Sequence, residues 1–175
     1  MTAARPEPSR TDSLLRYADE LQQLSTANEA PVPGPELHLV TFALDREEFG
    51  IPISDVREVI RVSDITRVPQ ARQHVRGVTN LRGRILAVVE IRTRMGLSPA
   101  ELTPKSRVVV VGVHERTLGI LVDSVSQVVK VPAKTVAPAP EEVLSSTADY
   151  ITGVARWNSR LIILLDLEKL LLLPD

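Results

Sequence analysis

Few residues of this chain stand at spacings that do covalent chemistry. The three histidines, His38, His74 and His114, occur singly. None belongs to an H-x-x-x-H or H-x-E grouping that would put two ligands, or a ligand and a base, on one metal ion. Cysteine is absent, which excludes thiolate nucleophiles, thiolate metal sites and disulfides. No nucleophile elbow, phosphate-binding loop or dinucleotide fingerprint is present. Asp123 and Asp166 each sit beside a long apolar run and are the one carboxylate pair that invites an acid–base reading. Their counterparts in an internal repeat are Ser54 and Glu90, so a strand-end hydrogen bond or ion pair is the better expectation. With no nucleophile–base constellation, the chain is expected not to be an enzyme and to need no metal or cofactor.

A second feature is charge. Between Arg57 and Arg94 there are nine arginines against three acids, a local net charge of +6 in a chain whose net charge is −1. One reading is a nucleic-acid-binding β-barrel that uses this stretch to neutralise phosphates. Against it, no Phe, Tyr or Trp lies between Gly50 and Asp149, so the stretch has no stacking platform. A solvated arginine-rich surface is the leading single explanation, and a protein interface, where the guanidinium fork pairs with carboxylates and carbonyls, is the third. Arg82 is the sharpest candidate, because the turn Asn80–Arg84 (NLRGR) holds its backbone while its side chain reaches outward.

The elements that must position these residues come in two copies. FGIPISDVREVIRV (Phe49–Val62) matches LGILVDSVSQVVKV (Leu118–Val131) at an offset of 69. Upstream, LVTFAL (Leu39–Leu44) falls on VVVVGV (Val108–Val113) and DREE (Asp45–Glu48) on HERT (His114–Thr117). After a seven-residue length difference the offset becomes 76, and VRGV (Val75–Val78) meets ITGV (Ile151–Val154) while RILAVVEI (Arg84–Ile91) meets RLIILLDL (Arg160–Leu167). Two copies are too few for a solenoid and imply a pseudo-symmetric pair. A unit of about 65 residues is marginal alone, so the two should share buried surface.

Hydrophobic residues make up 43% of the 175 and aromatics only 3%, so the core is built from Val, Ile and Leu. There is no apolar signal core at the N-terminus, and the apolar C-terminal stretch is interrupted by Asp166, Glu168 and Lys169; a soluble, cytoplasmic protein is expected. Residues 1–36 read as an N-terminal extension, with a candidate amphipathic helix carrying Leu14, Leu15, Ala18, Leu21 and Leu24 and a proline-rich linker, EAPVPGPE. Residues 37–175 read as the folded region, with a first subdomain over about 37–98 and a second over about 107–173. Short strands separated by turn signals predict small β-barrels. Pro52 suits a strand end, Gly50 a bulge or bend, and Ile53, Val56, Val59 and Ile60 one side of a brief helix. ARQHVRGV is read as a helical turn ending near Gly77, and LEKLLLLPD as a short terminal helix.

The ordered series GIPISDVREVIRV, ITRVP, VRGVTNLRGRI, EIRTRMGL, RVVVV, GILVDSVSQVV and YITGVARWNSRLIILLDLEKLL resembles the CheW family of chemotaxis coupling proteins over roughly Glu36–Leu173. The resemblance implies a mainly β fold of two five-stranded, SH3-like barrels packed together. It implies a non-catalytic adaptor that couples chemoreceptors to a CheA-type histidine kinase, with the kinase regulatory domain and the cytoplasmic receptor tip as partners, and neither nucleic acid nor direct membrane insertion. The receptor's helical hairpin would lie against the groove between the barrels. Carried over by motif, the receptor-binding positions are Val56, Glu58, Arg82, Val108 and Val128; kinase contacts are placed on Val131, Val136, Pro138 and Pro140. Ala87 and Glu90 depart from the family's usual proline and aspartate in the strand ILAVVEI.

Overall fold

The computed structural model describes residues 34–139 and 150–171. Four hairpins carry most of the strands. β1 (Glu36–Leu44) and β2 (Glu47–Pro52) turn at Asp45, and their repeat mates β6 (Arg107–Val113) and β7 (Arg116–Val122) turn at His114. β4 (Val75–Leu81) and β5 (Arg84–Glu90) turn through Arg82 and Gly83; β9 (Ile151–Trp157) and β10 (Arg160–Leu165) turn through Asn158 and Ser159. In these last two turns both central residues have positive φ, between 51° and 84°. Such turns match the right-handed twist of the strands they join, which is why two residues suffice.

The remaining strands are β3 (Val56–Arg61) and β8 (Ser124–Pro132). One sheet runs β8-β1-β2-β10-β9 and the other β3-β6-β7-β5-β4, the same order under the repeat. An isolated bridge joins Thr66 to Val78 in one sheet and Ala137 to Val154 in the other, bringing each sheet round towards closure. The partition at about 37–98 and 107–173 is therefore corrected. One barrel takes β1 and β2 from the first repeat and β8, β9 and β10 from the second; the other takes β3, β4 and β5 from the first and β6 and β7 from the second. The chain crosses over after β2 through a 3-10 turn, η1 (Ile53–Asp55), and after β7 at Asp123. The exchanged strands are tied in by parallel ladders, β2 with β10 and β5 with β7. Neither repeat copy forms a barrel by itself.

This exchange explains the apolar runs. Val109, Val111 and Val113 of β6 join Val40, Phe42 and Leu44 of β1 in a core between the barrels, with Ile51, Ile120 and Ile91. Val108 and Val110 instead point into their own barrel with Leu86, Val88 and Leu121. Leu39, Val129, Val131, Ile162 and Leu164 fill the other barrel. The middle strands are thus buried on both faces, so β6 reads as an unbroken valine run and not as an alternation. At Gly119 on β7, a Cβ would come within 2.6 Å of a Val108 methyl, and at Gly50 on β2 within 2.9 Å of an Ile162 methyl. Gly50 serves this close packing and not a bulge: the β1–β2 register is unbroken, and the shifts in that sheet lie between β1 and β8 at Thr41/Phe42 and between β10 and β9 at Leu164/Leu165.

Three local expectations also change. The brief helix over Ile53–Ile60 is only η1; β-branched VREVIR continues as β3, pairing Val59 with Val109 and Ile60 with Val108. ARQHVRGV does not form a helix. Val75 N donates to Arg72 O (3.0 Å) in a turn and β4 begins there. The C-terminal segment does form a helix, α2 (Leu167–Leu171), and its mate is α1 (Ile91–Arg94). Pro52 ends β2 as expected. The helix anticipated around Leu14–Leu24 lies outside the described residues.

Candidate partner-binding site

Arg82 owes its position to the β4–β5 turn, where its own φ is 51° and Gly83 N donates to Asn80 Oδ1 at 2.8 Å. Its side chain is 78% exposed. Arg82 Nη1 donates to Glu58 Oε2 at 2.9 Å. Glu58 lies on β3, just past a register shift between Val56 and Glu58. Two residues 24 apart in sequence, both anticipated at the receptor surface, are thus in contact. The pair orients a planar cation at the surface and leaves most of its area open to a partner.

The other anticipated residues separate. Val56 is half-buried on β3 and packs at the edge of the core between the barrels. Val128 is 55% exposed, but it belongs to β8, an edge strand of the other sheet. Val108 is a correction: at 1% exposed it faces its barrel interior and presents almost no surface. Its apolar character is a packing requirement, since its β3 neighbour across the ladder is Ile60. Val131 needs the same correction, being 1% exposed inside the other barrel. Alternation along β8 sends Val129 and Val131 inward and Val128 and Lys130 outward. Val136 is half-buried against that core, Pro138 is exposed, and Pro140 lies outside the described residues.

The arginine stretch is not a single free surface. Arg76 Nη1 donates to Glu90 Oε2 (3.1 Å), Arg92 Nη1 to Asp123 Oδ2 (2.7 Å), and Arg82 to Glu58 as above. Asp123 Oδ2 also accepts from Asp45 N at 2.7 Å. The strand-end role expected for Asp123 is what it performs. Asp166 similarly caps α2, its Oδ1 accepting from Lys169 N at 3.1 Å.

One constellation was not singled out in the sequence. A cleft of about 370 Å³ opens where η1, the end of β6 and the start of α2 meet, and Asp55, Asp166, Glu168 and His114 line it. Burial, and secondly the Asp166 charge, push the Asp55 carboxyl above its ordinary 3.8. His114 Nε2 lies 3.0 Å from Glu168 Oε1 in an exposed pair. No sequence spacing announces this group, since its members come from positions 55, 114 and 166–168. Only superposing the two repeats would have shown it.

A family model described as the CheW-like domain matches residues 38–173. The chain belongs to the CheW family. It is 35% identical over 130 residues to a chemotaxis protein CheW of Klebsiella aerogenes, covering 74% of this chain and 78% of that protein. It is 33% identical over 139 residues to the CheW of Treponema pallidum, covering 77% and 82%. The crystal structure of a scaffolding protein, TtCheW from Thermoanaerobacter tengcongensis, superposes with a TM-score of 0.71 at 28% identity, over 78% of this chain and 92% of that one. The chain is accordingly a chemotaxis coupling adaptor on an SH3-like double-barrel scaffold. Nothing in these likenesses favours the nucleic-acid reading of the arginines.

Proposed function

We propose that the protein brings a CheA-type histidine kinase, through its regulatory domain, under the control of the cytoplasmic tip of chemoreceptors, without catalysing a reaction itself. The observation that carries this reading is the Arg82–Glu58 pair, an exposed guanidinium on a rigid turn beside the β3 edge. A receptor helix face would lie along the exposed part of β3, with Val56 supplying apolar contact and Arg82 a directional polar one. Val128, exposed on the pseudo-equivalent strand β8, offers a second apolar contact. Kinase contact is assigned to the loop after β8, where Pro138 is exposed and Val136 half-exposed.

A cytoplasmic location beside receptor arrays follows from this role. Among the described residues no helix is long and apolar enough to cross a membrane. The test is a pull-down of the full chain with a receptor cytoplasmic fragment and a kinase regulatory domain from the same organism. Retention of both supports the reading, and failure to retain either sinks it.

A further inference from the structure

β3 slips by one residue against β6. Val56 faces Val111 and Glu58 faces Val110, so Arg57 between them is the extra residue of a β-bulge. A bulge re-aims the side chain it carries. Here it lays the Arg57 guanidinium against the bare backbone of Gly112: a Cβ on Gly112 would come within 2.7 Å of Nε, 2.8 Å of Nη2 and 3.2 Å of Cζ. The other repeat has the same bulge. On β8, Gln127 faces Thr41 and Val125 faces Phe42, which leaves Ser126 as the extra residue. At the offset of 69, Ser126 stands for Arg57 and Ala43 for Gly112. The bulge is thus common to both copies, while the arginine and the glycine beneath it occur together in one copy only. Seating the guanidinium has no use in closing the barrel, since the copy without it closes as well.

Arg57 is exposed, and among the described residues it has no ion pair and no hydrogen bond, whereas Arg76, Arg82 and Arg92 each hold a carboxylate. Its neighbour Glu58 is taken by Arg82. Along β3 the exposed residues alternate as Arg57, Val59 and Arg61, so one apolar side chain is flanked by two cations. We propose that Arg57, seated by Gly112, is a specificity-determining residue that selects a receptor helix carrying a carboxylate beside the apolar face laid along β3. This inference rests on the receptor reading given above. Two observations name the occupant. Arg57 stands between Val56 and Glu58, so it is continuous with the surface assigned to the receptor. Its planar fork is held in place with its donors uncommitted, which is the complement of a carboxylate. Holding the guanidinium before contact lowers the side-chain entropy lost on binding, and that is the work of Gly112.

The test titrates the full chain with a receptor cytoplasmic fragment from the same organism, at about 50 mM and about 200 mM salt. The unsubstituted chain should bind more weakly at the higher salt. Arg57→Gln should weaken binding about fivefold at low salt, the size of an exposed charge pair, and remove much of the salt dependence. Gly112→Ala keeps the charge but takes away its seat. The added methyl meets only the end of a flexible side chain, so the fold should hold while affinity falls about twofold. Urea midpoints of both variants should match that of the unsubstituted chain; a large loss in Arg57→Gln would make Arg57 structural and overturn the proposal. Undiminished binding by Arg57→Gln, with Arg82→Ala still weakened, would overturn it and leave the receptor reading standing. A loss on Arg57→Gln with unchanged salt dependence would point to a neutral acceptor and overturn the carboxylate assignment. Full affinity in Gly112→Ala would overturn the role of the seat. No binding by the unsubstituted chain would overturn this inference and the receptor reading together.

Discussion

At the scale of single residues, the proposed receptor contact and the residues that hold the fold are distinct. Arg82 is exposed and its pair with Glu58 is a surface pair, so Arg82→Ala should cost less than about 1 kcal/mol in urea denaturation while markedly weakening receptor retention. A large stability loss would make Arg82 structural. Asp55 behaves in the opposite sense. Its folded-state pKa is raised, so the fold disfavours its charged form; its contribution to stability is greatest below 3.8 and falls as pH rises through the raised value. Asp55→Asn should flatten the melting-temperature profile over that acid range and raise stability at neutral pH. A profile identical to that of the unsubstituted chain would show that the carboxyl carries no such burden. Arg82 was legible in the sequence because a tight NLRGR turn leaves a long side chain little but solvent. Val108 and Val131 were not, because an apolar residue in a strand looks alike whether it faces a partner or a barrel interior. Only the register of β3 on β6 and of β8 on β1 decides that.

At the scale of elements, glycines mark where strands approach too closely for a side chain. Gly119→Ala would place a Cβ 2.6 Å from Val108 and 3.1 Å from Leu86, and should destabilise by about 1–3 kcal/mol through overpacking, read as a lower denaturation midpoint. Gly77→Ala should cost more. Its Cβ would meet the Thr66 carbonyl oxygen at 2.3 Å, backbone that cannot rotate away, and would disturb the two 2.8 Å hydrogen bonds between Thr66 and Val78. A Gly77→Ala midpoint above that of Gly119→Ala would contradict this account of the barrel closure. Strand positions were largely readable from apolar runs and turn residues, as with DREE, HERT and NLRGR. The short helix expected over Ile53–Ile60 was not realised. Its apolar spacing fits a helix as well as a strand, and pairing with β6, whose partners run from Val111 for Val56 to Arg107 for Arg61, decided between them.

At the scale of the whole molecule, the duplication was visible in the sequence but the exchange was not. Similarity between copies says that two alike modules exist; it does not say which strands of each copy sit together. The crossings at η1 and Asp123 make the two barrels one cooperative unit around the shared core of Val40, Phe42, Leu44, Val109 and Val111. A rigid, joined pair of barrels suits an adaptor, which must hold two partners in fixed relation. Sedimentation of the kinase regulatory domain with receptor-bearing membranes, with and without the chain, tests the coupling role most directly. The kinase domain should pellet with the membranes only when the chain is present, and Arg82→Ala should abolish most of that dependence. Equal pelleting without the chain, or none with it, would contradict the adaptor role.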